Sequence, residues 1–334
     1  MTLRVAINGF GRVGRSVLRA ALERKVDLEF VGINDLTDPQ QLLLSFKYDS
    51  IHGMYKDLVQ IDNGCLLVGG NKIRLTAIKD PALLPWKELD VDIVVDSTGK
   101  FTKRAQLEQH LAAGAKKVTL AVPPKDPLDA TIVMGVNSYM LTREMKLVSN
   151  ASCTTNCAAP VVKVLHDAFG VRRGYMITVH AYTNDQRLLD FPHKDLRRAR
   201  AAVQSIIPTT TGAAKAIGQV IPALNGKLQG MSYRVPVADG SICDVILELD
   251  NKTTTTEINE AVKKASMTNL KGILEYTTDP IVSVDIIGNP HSSIFDSLLT
   301  QTLNENWVKV SSWYDNEWGY SNRMIDLIER MFYV

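Results

Sequence analysis

Apolar and polar positions along the chain fall into two regimes. In the first half, short apolar runs alternate with segments of helical spacing: Leu3 to Asn8, a helix after Gly11, Phe30 to Asn34, Ile93 to Asp96, a helix from Thr102 to Ala113, then Val118 to Val122 and Thr131 to Val136. That order predicts a parallel sheet covered by helices on both faces. The second half changes character, with period-2 runs at Tyr175 to Ala181, Gln229 to Val235, Ile242 to Leu249 and Val308 to Tyr314. These predict an antiparallel or mixed sheet with one covered face. Helices are expected at Thr211 to Leu224 and at Thr254 to Ser266, the latter opened by a Thr254–Glu257 capping box, so the second half reads as α+β. Met324, Ile325, Ile328, Met331 and Phe332 form one stripe, and this final amphipathic helix is expected to return to the first domain. The expected division is residues 1–150 completed by 316–334, and residues 151–315 between them.

Composition narrows the function classes. The 334 residues carry 38 Lys and Arg against 36 Asp and Glu, a formal charge of +2, which is no footprint for a dedicated nucleic-acid or membrane-surface binder. The longest uncharged run, Leu147 to Val162, contains Ser, Asn and Thr and cannot form a spanning helix. The N-terminus reads as a strand entering a glycine turn rather than a signal peptide, so a cytoplasmic protein is expected. Four cysteines, Cys65, Cys153, Cys157 and Cys243, are too sparse for a disulfide scaffold, and each is either a small hydrophobe or a reactive thiol. No second Cys or His pair completes a metal site with Cys153 and Cys157.

Gly9, Gly11 and Gly14 form a G-x-G-x-x-G turn directly between a strand and a helix. Gly9 permits the tight turn, Gly11 lets a pyrophosphate approach the backbone, Gly14 allows helix and strand to pack closely, and the helix N-terminus supplies positive potential. The first domain is thus a Rossmann-type doubly wound α/β unit. Asp35 ends the next strand where an acidic side chain can hold the adenosine ribose hydroxyls, which points to NAD. A 2′-phosphate there would meet a repulsion of at most about 4 kcal/mol at roughly 4 Å and an effective dielectric near 20. The bland alternative is an ordinary turn residue among turn formers.

Cys153 stands at or near the start of a helical segment, Ala158 to Phe169, where dipole and backbone N–H groups favour a thiolate. Pro160 requires that helix either to bend or to begin later. His180 shares a strand face with Met176 and Thr178, and a cysteine with a histidine on a nearby strand meets the needs of Cys–His nucleophilic catalysis. A strand histidine is also often structural. The basic segment His193 to Arg200 and the polar turn Pro208 to Ala213 fit an anionic substrate, or a merely solvated face.

Five segments in order, Ala6 to Arg12, Ser152 to Cys157, Thr178 to Thr183, Pro208 to Lys215 and Trp313 to Glu317, make the whole chain resemble phosphorylating glyceraldehyde-3-phosphate dehydrogenases. The resemblance implies that Cys153 attacks the aldehyde of glyceraldehyde 3-phosphate with His180 as its base. Hydride passes to NAD, and inorganic phosphate releases 1,3-bisphosphoglycerate from a thioester. It further implies that Thr183 and Arg234 hold the substrate's phosphate, and that Ser152, Thr154, Arg198, Thr211 and Gly212 serve the attacking phosphate. Arg12, Val13, Asp35, Lys79 and the Ala121 backbone would contact the dinucleotide, with Asn316 at the nicotinamide amide. A homotetramer is expected, with the loop from about Ala181 to Ser205 against a neighbour's cofactor site.

The chain also departs from the pattern. Ala121 replaces a common Ser or Thr, Phe191 precedes Pro192 where NAD-preferring relatives carry Leu, and Ala238-Asp239-Gly240 replaces an Asn-containing turn. Erythrose-4-phosphate dehydrogenase is the near alternative, against which Thr183 argues, and a non-catalytic NAD-binding scaffold is the distant one.

Overall fold

The structure is a computed structural model that describes residues 2–334. It separates into two units: Met1–Ile132 with Ser138–Ala151 and Ser321–Val334, and Val133–Asn137 with Ser152–Tyr320.

The first unit opens with β1 (Leu3–Asn8), α1 (Arg12–Arg24), β2 (Leu28–Asn34) and α2 (Pro39–Lys47). Three strands follow, β3 (Val59–Asp62), β4 (Cys65–Val68) and β5 (Asn71–Thr76), and then β6 (Ile93–Asp96), α3 (Arg104–Ala112), β7 (Lys117–Leu120), β8 (Ala130–Thr131) and β9 (Leu147–Ser149). Among the described residues they form one sheet in the order β8-β9-β7-β6-β1-β2-β5-β4-β3. From β8 to β5 every pairing is parallel, and Val5, Ala6, Ile7, Val94 and Val95 are buried, as expected where helices cover both faces.

The antiparallel β3-β4-β5 extension is absent from the reading of the chain. Its signal was nonetheless present: Asn63-Gly64 and Gly69-Gly70 all have positive φ, the signature of two-residue hairpin turns. The expected strand Thr131 to Val136 shrinks to Ala130–Thr131, because Val133 N–H turns to Asn137 Oδ1 (2.8 Å) instead of continuing a ladder.

In the second unit α4 (Cys153–Phe169) precedes β10 (Val171–Ala181), β11 (Ile207–Thr210), α5 (Ala213–Val220), β12 (Leu228–Val235), β13 (Ser241–Leu249), α6 (Thr255–Met267), β14 (Leu274–Thr277), β15 (Ser293–Asp296), β16 (Gln301–Leu303) and β17 (Trp307–Tyr314). The mixed sheet runs β11-β12-β10-β13-β17-β15-β14, with β16 on β17. Along β10 the alternation holds as far as His180, with Met176, Thr178 and His180 buried and Tyr175, Ile177 and Val179 less so. The apolar helix α4 packs on β13, β15 and β17.

The last helix, α7 (Trp318–Tyr333), belongs from Ser321 onward to the first unit. There Met324, Ile325 and Ile328 are fully buried, Arg24 pairs with Asp326 at 2.7 Å, and Lys117 Nζ donates to Met331 O at 2.6 Å. Among the described residues no helix is long and apolar enough to cross a membrane.

Candidate active site

The glycine turn has the geometry its spacing predicts. Gly9 has φ +92°, and a Cβ there would lie 2.8 Å from the Thr98 backbone nitrogen, so no other residue fits. A Cβ on Gly14 would come within 2.4 Å of Gly9 O, whereas one on Gly11 would touch nothing. Gly14 is therefore small for packing, and Gly11 leaves room for a ligand. A cavity of about 480 Å³ lies over the turn, lined by Gly9, Gly11, Asp35, Lys79, Ser97 and Thr98 among others. Asp35 is held in it by N–H groups of Phe10 (2.7 Å) and Thr37 (2.9 Å).

The remaining dinucleotide candidates stand differently. Val13 is half-buried in the first turn of α1. The Arg12 guanidinium is committed to Asp49 at 2.6 and 3.2 Å, so what Arg12 offers a phosphate is its place at the positive end of the helix. Ala121 is buried, and its N–H donates to Asp96 O at 2.9 Å.

Cys153 is the first residue of α4. Ser152 caps the helix, its Oγ accepting from Thr155 N–H at 3.1 Å, and the helix runs on through Pro160 to Phe169 without a break. His180 Nε2 lies 3.4 Å from Cys153 Sγ. The parallel pairing of β10 with β12 places His180 beside Arg234 in register. Arg234 Nη1 sits 2.6 Å from His180 Nδ1 and 2.8 Å from Ala181 O, which is itself 2.7 Å from Nδ1. Arg234 donates to that carbonyl, and in the tautomer whose Nδ1–H donates to it as well, Nε2 is the acceptor for the thiol proton.

Burial, and after it the Arg234 charge, holds His180 down at about 3. Burial pushes the Cys153 thiol up, and Arg234 pulls it the other way without prevailing. Burial thus opposes charge on both groups, whereas the helix start alone favours a thiolate. Magnitudes explain the difference: a helix terminus gives an anion about 0.3–2 kcal/mol, while desolvating an ion costs several.

The sequence reading missed Tyr314. Its buried hydroxyl hydrogen-bonds to Thr154 Oγ1 and Thr178 Oγ1, each at 2.8 Å, and its ring meets His180 edge-on at 5.8 Å. The Thr154 hydroxyl is thereby turned into the core. No local pattern reveals this, because three separate elements supply the three oxygens.

Arg198 forms an ion pair with Asp185, and its Nε donates to Thr209 Oγ1 at 3.0 Å. Thr211 Oγ1 accepts from Ala213 N–H at 3.2 Å beside Gly212, the N-cap of α5. Thr183 is half-buried, with its N–H on Gln186 Oε1 at 3.3 Å. The most telling atom is Arg234 Nε, a buried donor without a hydrogen-bond partner, which an incoming anion would satisfy. Asn316 is buried with its Oδ1 accepting from Ser241 Oγ at 2.6 Å.

The unusual Asp239 is buried next to Asp315, which accepts N–H bonds from Gly288 (2.7 Å), Glu317 (2.9 Å) and Trp318 (2.6 Å). Asp315 is thus well supplied with donors. Burial, then the Asp315 charge, pushes Asp239 far above the carboxylate range, and Asp239 keeps its proton. An acid whose folded pKa is raised contributes its full stability below the ordinary carboxylate range and loses it as pH rises toward the folded value. Asp239→Asn removes that loss. The variant should melt roughly 2–6 °C above wild type at pH 7–8, the gap closing toward pH 4 in calorimetric scans. Equal melting temperatures throughout would contradict a proton held on Asp239.

A glycine-lined dinucleotide turn and a paired thiol and imidazole on one chain define a nicotinamide-dependent oxidoreductase. Family models agree with both halves: residues 3–104 match the NAD-binding domain of glyceraldehyde 3-phosphate dehydrogenase, and residues 152–316 match its C-terminal domain. Curated relatives named glyceraldehyde-3-phosphate dehydrogenase include one from Borreliella burgdorferi at 55% identity, covering 98% of this chain and 99% of the relative. Those from Geobacillus stearothermophilus and Thermotoga maritima are each 54% identical, covering 98% of this chain and 97% and 98% of their own lengths. The chain belongs to the glyceraldehyde-3-phosphate dehydrogenase family.

Proposed function

We propose that this chain oxidises glyceraldehyde 3-phosphate to 1,3-bisphosphoglycerate through a thioester on Cys153. The activity is the NAD-dependent, glycolytic one of its family. The observation that carries the mechanism is the 3.4 Å approach of His180 Nε2 to Cys153 Sγ, with the unsatisfied Arg234 donor alongside.

A phosphate dianion held by Arg234 and Thr183 offsets the guanidinium charge next to Nδ1. The basicity of His180 then rises as substrate binds. Cys153 Sγ bonds to the aldehyde carbon while its proton passes to Nε2 and on to the former carbonyl oxygen, giving a hemithioacetal and a neutral His180. Gly9, Gly11, Val13, Asp35 and Lys79 would hold NAD⁺, with Asn316 for its amide, and the group when bound would supply a hydride acceptor. The hemithioacetal returns that proton from its hydroxyl to His180 and gives up its C–H hydride, and the oxidised carbon is left as a thioester. Inorganic phosphate, held near Ser152, Arg198, Thr211 and Gly212, attacks that carbonyl and expels the Cys153 thiolate.

If phosphate is withheld, enzyme mixed with aldehyde and NAD⁺ should give a burst of one NADH per chain and an acyl adduct on the Cys153 peptide by mass spectrometry. Free turnover without phosphate, or an adduct elsewhere, would overturn the mechanism.

Leu188, Leu189, Phe191 and Leu196 are exposed on one loop, an apolar patch that supports burial against further copies in a homotetramer. Cytoplasmic residence and the absence of a dedicated nucleic-acid or membrane partner complete the reading, supported by near-balanced charge.

A further inference from the structure

Beneath the dinucleotide turn runs a chain of buried polar side chains that the mechanism does not use. Trp86, His110 and Asp96 are fully buried, and Asn8 and Asn34 nearly so. Its direction is dictated by chemistry. Trp86 Nε1 can only donate, so His110 Nδ1 accepts at 2.9 Å and the ring's single proton lies on Nε2, facing Asp96 Oδ2 at 3.2 Å. Asp96 also accepts from Asn8 Nδ2 (2.9 Å) and from the Thr98 hydroxyl (2.8 Å). Asn8 Oδ1 accepts from Asn34 Nδ2 at 2.8 Å, and Asn34 Oδ1 accepts from Ile78 N–H at 2.9 Å. No amide in this chain can flip without opposing donor to donor.

The placement is systematic. Asn8 precedes Gly9, Asn34 precedes Asp35, Ile78 precedes Lys79 and Asp96 precedes Ser97, and all four following residues line the cofactor cavity. A buried carboxylate with its satisfying network gives no more stability than well-packed apolar side chains of similar volume. What it does give is one fixed relation between the ends of β1, β2 and β6. We propose that the Trp86–His110–Asp96–Asn8–Asn34 chain is a positioning device for NAD, with His110, which lies outside the cavity lining, as its keystone. This rests on reading the cavity as the NAD site.

The test is NAD⁺ affinity by fluorescence quenching, with KM values, for His110→Phe, His110→Gln and Trp86→Phe, and Asp35→Gly as control. His110→Phe keeps the ring volume but strands the indole N–H and takes a donor from Asp96. Kd and KM for NAD⁺ should rise about tenfold, the scale of one buried hydrogen bond left unmade, with KM for the aldehyde changing less than about twofold. His110→Gln can accept from Trp86 and donate to Asp96, and should recover to within about threefold of wild type. If His110→Phe does not fold, Trp86→Phe deletes only the first link and should weaken NAD⁺ about threefold. Lower melting temperatures with unchanged NAD⁺ affinity would make the network merely structural and overturn the proposal. If Asp35→Gly also leaves affinity unchanged, the reading of the cavity fails instead.

Discussion

Cys153→Ser is expected to reduce NADH formation from glyceraldehyde 3-phosphate, NAD⁺ and phosphate by at least about a thousandfold, with NAD⁺ affinity near wild type. The substitution replaces one atom, so packing at the start of α4 is retained and Ser152 still caps the helix. What disappears is a nucleophile that the neutral imidazole 3.4 Å away can deprotonate. A hydroxyl is far less acidic than a thiol, and burial at this position already opposes the anion of the more acidic group. Initial rates with a NAD⁺ titration check the expectation. Turnover near the wild-type rate would remove Cys153 from the chemistry altogether.

His180→Asn comes next, with an expected loss of about 10²- to 10⁴-fold in kcat, the range for removing a positioned general base. The change separates acid–base work from packing, because Asn can still donate to Ala181 O but cannot take the thiol proton. Its pH dependence is informative in sign. A histidine held down at about 3 is neutral from pH 5 to 8, so protonation of the imidazole should not limit kcat/KM of the wild type in that window. An acid limb in kcat/KM near pH 6.5 that vanishes in His180→Asn would show an ordinary histidine, contrary to the burial and the Arg234 contact described above.

How much of this was legible in the chain differs from element to element. The parallel core of the first unit announced itself, because strands buried on both faces must be continuously apolar, as in Val5-Ala6-Ile7 and Ile93-Val94-Val95. Period two along β10 likewise assigned Thr178 and His180 to one buried face. The β3-β4-β5 extension escaped because its strands are short and only half-buried, although Asn63-Gly64 and Gly69-Gly70 mark both turns. At Pro160 the tension between proline and helix was resolved in favour of the helix, whose buried face outweighs one lost backbone bond.

The groups of the site were legible by type, and their state was not. Sequence spacing determined the glycine turn with Asp35, the cysteine at a helix start and the candidate histidine, since each depends on backbone geometry spanning only a few residues. Only the tertiary structure decided that His180 stands beside Arg234, that Tyr314 ties Thr154 to Thr178, and that Asp239 keeps its proton next to Asp315. The physical reason is range. Helix periodicity and turn chemistry are local, whereas desolvation and charge pairing depend on side chains that strand pairing brings together from distant parts of the chain.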